Sequence, residues 1–220
     1  MIATATRDTP TALSFSSSET PESMHFRENP PEKSAAEIKE DFQKKYGIER
    51  DKKRFLVGIV TPLFEEHNAE VLVDMLPGLS ELGAQIAFRA NASEHYRDIL
   101  IAFQKDHKDR CVIVADHEYD EILRAADTVI FFSEKPEIMA EDLKNALQNG
   151  VVPIAPAPFV PRFVEDYNPN LETGNSFLYP FLSPWSLFGA LVRTHENFRF
   201  PYDWKNIKKS AEKTAFSEAL

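Results

Sequence analysis

Residues 55–60 are apolar or glycine at every position, without the in-and-out alternation of a half-buried strand. So short a run reads as a strand covered on both faces, as in a parallel sheet. Similar runs recur at 85–89, 111–115, 128–132 and 151–155, with 177–179 as a last short strand. The segments between them change to a period near 3.6. In 68–82, Val71, Leu72, Met75, Leu76 and Leu79 fall on one face, Gly83 closes the helix and Pro77 is expected to bend it. Helices are also expected at 94–107, 119–126 and 140–149. Two more close the chain at 184–198 and 201–215, each with Pro near its start. An earlier helix starts at Ser34, where Ser34 and Glu37 fit a capping box. Ile38, Phe42 and Tyr46 make its stripe and Gly47 ends it.

Strand and helix alternating through short links predict a Rossmann-like α/β domain over 34–220, a parallel sheet with helices on both faces. No internal repeat or linker divides it. Residues 1–33 are rich in Ser, Thr, Pro and Glu and poor in large apolar groups. Such a segment buries too little to offset its ordering entropy, so it is expected to be an irregular tail.

Composition narrows the partners. Lys+Arg is 25 and Asp+Glu is 35, a net charge of −10. An acidic chain with no basic run is not expected to bind nucleic acid or anionic membrane. No window reaches the ~18 apolar residues of a membrane span, and residues 1–20 lack the pattern of a signal peptide. A cytoplasmic location is expected. The single cysteine, Cys111, lies in an apolar run and reads as a core thiol rather than a nucleophile.

Candidate chemistry is sparse. The turn after the first strand, where a Rossmann-like domain takes phosphate, reads Gly58-Ile59-Val60-Thr61-Pro62-Leu63-Phe64-Glu65-Glu66-His67. It has one glycine, two carboxylates and no Arg or Lys. Asp116-His117-Glu118 is the densest group of possible metal ligands, but neighbours on an extended segment point apart, so a solvated turn is expected and no metal. His67, His95, His107 and His195 stand singly among charged neighbours and read as surface histidines. The run 151–162, with Pro153, Pro156, Pro158 and Pro161, reads as a stiff extended segment, either a core connection or a docking surface.

Several segments in order carry a resemblance: Phe55-Leu56-Val57-Gly58-Ile59-Val60-Thr61, Val73-Asp74-Met75-Leu76-Pro77-Gly78-Leu79, Ala146-Leu147-Gln148-Asn149-Gly150-Val151-Val152-Pro153 and Val164-Glu165-Asp166-Tyr167-Asn168-Pro169. From about 34 to 216 the chain resembles the C-terminal domain of bacterial glycogen synthases and plant starch synthases. These are two-domain GT-B glycosyltransferases that pass glucose from ADP- or UDP-glucose to a glucan without a metal. The resemblance implies a donor site at the carboxyl ends of the strands. Its positions depart from the family pattern. Where the family has an Arg and then Lys-Gly for the donor phosphates, this chain has Pro62, His67 and Asn68. Glu137 stands near the family's Glu-Pro-x-Gly-Leu glutamate. Pro158, Phe159 and Val160 occupy the place of the Thr-Gly-Gly loop. Proline has no N–H and Phe blocks close approach. No counterpart of the N-terminal GT-B domain is seen in residues 1–33.

A non-catalytic, protein-binding or scaffold subunit of a larger complex is therefore expected, with no cofactor. The alternatives are half of a split glucosyltransferase completed by another chain, and a glucan-binding module using Trp185, Trp204 or Tyr202. The expected interface takes in Phe64, Met139, Phe159 and Val160, beside Pro62 and Ile138. Deleting residues 1–33 is expected to leave the melting temperature of the isolated protein nearly unchanged. A fall of more than about 5 °C, roughly 1 kcal/mol or more for a domain this size, would show that the tail packs within the molecule.

Overall fold

A computed structural model gives the fold, and the structure describes residues 33–217. The tail 1–33 thus lies, but for Lys33, outside the described residues. In chain order the elements are α1 (Ala35–Tyr46), β1 (Leu56–Ile59), α2 (Ala69–Glu81), β2 (Gln85–Arg89), α3 (Glu94–Asp106), β3 (Cys111–Val114), α4 (Asp120–Ala125), β4 (Thr128–Ile130), α5 (Pro136–Gln148), β5 (Val152–Pro156), β6 (Phe177–Tyr179), α6 (Pro184–Phe198) and α7 (Pro201–Ser217). The strands form one six-stranded sheet in the order β3-β2-β1-β4-β5-β6, every neighbouring pair parallel. This is the expected Rossmann-like architecture.

Each strand divides its side chains between two cores. Val57, Ile59, Ile86, Phe88, Ile130 and Ile154 pack under α2, α3 and α6. Leu56, Ala87, Val112, Val129, Phe131 and Ala155 pack under α1, α4 and α5. Alternate residues of a strand point to opposite faces, so an unbroken apolar run supplies both layers. Gly58 sets the spacing of the second layer. A Cβ there would lie 2.5 Å from Ile122 Cγ2, so α4 sits directly on β1.

The ends of α1 follow the sequence signals. The Glu37 N–H donates to Ser34 Oγ at 3.3 Å, and the Ser34 N–H donates to Glu37 Oε2 at 2.8 Å. Gly47 ends the helix at φ 71°, in the left-handed region. Lys39 is buried and reaches across to the amino ends of β1 and β4. Its ammonium lies 2.6 Å from Asp127 Oδ2, and that carboxylate also accepts the Leu56 N–H at 2.8 Å. The Arg54 carbonyl accepts from the same ammonium. Burial pushes the Asp127 carboxyl up, against the pull of Lys39.

The proline-rich run is not a loop over its first half. Val152–Pro156 is a buried internal strand between β4 and β6. The Val152 N–H donates to the Asp127 carbonyl and the Phe131 N–H to the Ile154 carbonyl, so residues 152 and 154 face β4. Pro153 faces the other side, where pairing with β6 begins only at Ile154. Its missing N–H therefore costs no ladder bond. This half of the run is core, and the docking reading of it is excluded by burial.

Candidate functional site

All six strands point the same way, so their carboxyl ends share one edge of the sheet, where α/β domains place ligands. The first loop of that edge runs from Val60 to Asn68. Leu63 holds it down. Its side chain is fully buried, its N–H donates to the Asn91 carbonyl at 2.8 Å, and its carbonyl accepts the Ser93 N–H at 3.0 Å. The turn is thus stitched to the loop after β2. Glu65–His67 then makes one 3-10 turn, and Asn68 takes a left-handed φ of 60° before α2 begins.

This stitching decides where the side chains go. Pro62 and Phe64 are half-buried, and Glu65 and Glu66 are exposed. His67 is buried, which corrects the expectation of a surface histidine. The Phe64 ring meets it edge-on at 6.0 Å, and its Nε2 lies 3.6 Å from Glu66 Oε1. Thr61 Oγ1 and His67 Nδ1 are buried without a protein hydrogen-bond partner among the described residues. The turn itself offers a phosphate two carboxylates and no Lys or Arg.

A cation does reach this edge, and sequence reasoning passed over it. Arg89 is the last residue of β2, where a charged side chain ends the apolar run. Its Nη1 donates to the Val60 carbonyl at 3.4 Å, its Nε donates to Asp116 Oδ1 at 2.6 Å, and Asp142 Oδ2 is 3.8 Å away. Its guanidinium lies 3.7 Å over the Tyr119 ring. The Tyr119 hydroxyl donates to Asp142 Oδ1 at 3.1 Å. Burial pushes the Asp142 carboxyl up, while Tyr119 and Arg89 pull it down. Burial, then the charge of Asp142, pushes the Tyr119 hydroxyl up to about 12. Arg89 is therefore committed to two carboxylates and an aromatic face. Two further cations, Lys135 and Arg162, stand on later loops of the edge.

The remaining expected site residues are dispersed. Glu137 is exposed in the first turn of α5. Phe159 ends a 3-10 turn after β5, and it and Val160 are half-buried against the core under α1, α4 and α5. Met139 is fully buried in that same core, so it has no surface to offer a partner. Its place corrects the expected interface, as α5 starts at Pro136 rather than 140 and turns Met139 inward with Leu143 and Ala146. Among the described residues the large exposed apolar side chains are Ile101, Leu171, Phe181, Trp185, Phe200 and Tyr202, none of them in the expected interface. Trp204 is buried against Phe55 and Phe198, at ring distances of 6.3 and 5.4 Å, and is core. Trp185 is 83% exposed beside a depression of about 360 Å³ that Asp74 and Phe188 help to line.

Asp116, His117 and Glu118 do not converge. Asp116 pairs with Arg89, and Glu118 lies 3.1 Å from the Lys45 ammonium. No group of His, Cys, Asp and Glu among the described residues is arranged to hold a metal. Cys111 is buried, and burial pushes its thiol up to about 12, the wrong direction for a nucleophile. No helix among the described residues is long and apolar enough to cross a membrane.

Phe159→Asp is expected to lower the unfolding free energy by about 1–3 kcal/mol, because the carboxylate enters an apolar contact. Thermal or urea denaturation checks it. Unchanged stability would mean that the ring is not held by the core.

The comparisons bear on the fold. No protein-family model matches the chain. Glycogen synthase 1 of Synechocystis sp. is 25% identical over 180 residues, covering 80% of this chain and 38% of its own length. The glycogen synthase of Gloeobacter violaceus is 26% identical over 171 residues, covering 76% and 37%. The chain thus spans well under half the length of these relatives. Among solved structures, the catalytic domain of starch synthase IV from Arabidopsis thaliana, bound to ADP and acarbose, superposes with a TM-score of 0.65 at 19% identity, over 80% of this chain and 38% of that one. The C-terminal domain of a group 1 family glycosyl transferase (LpcC) from Francisella tularensis gives 0.64 at 14%, over 86% of this chain and 94% of that one. The chain is thus similar in sequence to the glycogen synthases and carries the Rossmann-like fold of GT-B glycosyltransferases, over a region the size of their C-terminal domain.

Proposed function

We propose that this glucosyltransferase-type domain works as a non-catalytic, protein-binding unit and does not use a sugar nucleotide. One observation carries the reading: the turn after β1 is stitched shut at Leu63, holds Glu65 and Glu66 and has no Lys or Arg. A nucleotide sugar brings two phosphates, and each needs donors and a cation within reach. Pro62 offers neither, His67 is buried, and Arg89 is already paired. On the far side Pro158 removes an N–H and Phe159 fills space against the core. The domain keeps the scaffold of a transferase, and Lys135 and Arg162 lie on the loops after β4 and β5 rather than on the turn that would hold the donor phosphates.

A second reading, glucan binding, rests on Trp185. An exposed indole beside the carboxylate of Asp74 offers a sugar ring an apolar face and a hydrogen-bond acceptor.

Calorimetric titration separates the readings. Neither ADP-glucose nor UDP-glucose is expected to bind at millimolar concentration. A dissociation constant below about 100 µM, roughly −5.5 kcal/mol, would overturn the proposal. Binding of maltohexaose that Trp185→Ala removes would favour the glucan reading instead.

A further inference from the structure

The opposite edge of the sheet has a different character. Helix α7 lies across the amino ends of the strands. Trp204 packs on Phe55, just before β1, and Lys208 lines the same small depression as Asp127, just before β4. The Glu212 carboxylate lies against Gly150, just before β5, and Thr214 Oγ1 accepts from Asn175, just before β6. Between α7 and the segment leading into β1 is an open depression of about 890 Å³. Six cations line it, Lys52, Lys53, Arg199, Lys205, Lys208 and Lys209, against the single carboxylate of Glu212. Lys52 pairs with Glu40 and Arg199 with Glu196, whereas Lys53, Lys205 and Lys209 make no ion pair among the described residues. The lining also has an apolar part, with Phe198 and Trp204 packed edge-to-face at 5.4 Å. Phe200 and Tyr202, 58% and 67% exposed, flank it in the chain.

Such a surface is unusual in a chain of net charge −10. Lysines gathered on one depression, with no ion pair among the described residues, repel one another and raise the local positive potential. An anionic partner relieves that repulsion. The geometry points to a docking groove for an acidic peptide segment of a protein partner, with its carboxylates on Lys53, Lys205 and Lys209 and an apolar side chain over the half-buried Phe198. This deepens the protein-binding reading by naming the chemistry of the partner, and it uses a surface separate from the donor edge. A peptide is favoured over a long polyanion for two reasons. The rest of the chain is strongly acidic and repels a phosphate backbone extending past the groove. The aromatic part of the lining also fits an interface that mixes apolar anchors with a charged rim.

The test is fluorescence anisotropy of a labelled peptide of Asp and Glu around one Phe, titrated with the full chain. Binding is expected, weakening as salt rises from about 50 to about 300 mM. Lys205→Glu combined with Lys209→Glu is expected to weaken it at least about tenfold, a clear step in dissociation constant. Lys105→Glu combined with Lys108→Glu, the same charge change on and just after α3, should have a much smaller effect. Should the first pair melt early, Lys205→Gln with Lys209→Gln is expected to show the same direction. The inference is overturned by absence of peptide binding at about 1 mM protein in low salt, or by equal losses in the two charge-reversed pairs. It is also overturned if a single-stranded oligonucleotide or tripolyphosphate binds more tightly than the peptide and is lost in the same variants. Binding of ADP-glucose would sink the donor-site reading and leave this result unaffected.

Discussion

Two backbone hydrogen bonds at Leu63 fix the first loop of the carboxyl edge. With its N–H given to Asn91 and its carbonyl to Ser93, the loop after β1 is fixed to the loop after β2. The buried Leu63 side chain anchors it from below. The burial of His67, the half-burial of Phe64 and the left-handed Asn68 follow from a chain that must turn sharply into α2 from a pinned point. A phosphate-binding loop in this fold presents free N–H groups and a cation at the helix start. Here the space is lined by side chains, and the two outward residues are glutamates.

The same sheet carries opposite charge at its two ends. At the carboxyl edge Arg89 is shared between Asp116 and Asp142, so its charge is already matched there. At the amino edge the buried Lys39–Asp127 pair is internally balanced, whereas Lys53, Lys205 and Lys209 make no ion pair among the described residues. Removing one partner of a buried pair costs about 3–5 kcal/mol, which explains why Lys39 and Asp127 belong to the fold. The exposed lysines contribute little to stability and are available for contact.

The architecture was legible in the sequence because its signals are local. Apolar runs gave the strands, 3.6-residue stripes gave the helices, and Ser34 with Glu37 gave the first cap. That the turn after β1 carries no Lys or Arg was also legible, since it concerns residue types alone. What depended on packing was not. His67 looked exposed because its neighbours are charged, but the 3-10 turn after Phe64 turns it inward. Met139 falls just outside the stripe at 140–149 and so reads as an interface residue. Pro136 starts the helix a turn earlier and puts Met139 on the buried stripe with Leu143, Ala146 and Leu147. The strand at 151–155 was legible despite Pro153, but why the proline is tolerated depends on its place in the pairing register. The cationic groove joins residues 52 and 53 to residues 199–212, a proximity that no local pattern contains.

Amide chemical-shift mapping of the full chain with ADP-glucose tests the central claim most directly, because it reads the turn itself. The account predicts that the amides of residues 61, 63–68 and 159–160 stay in place at millimolar nucleotide sugar. Saturable shifts clustered on those residues would show a working donor site and contradict it.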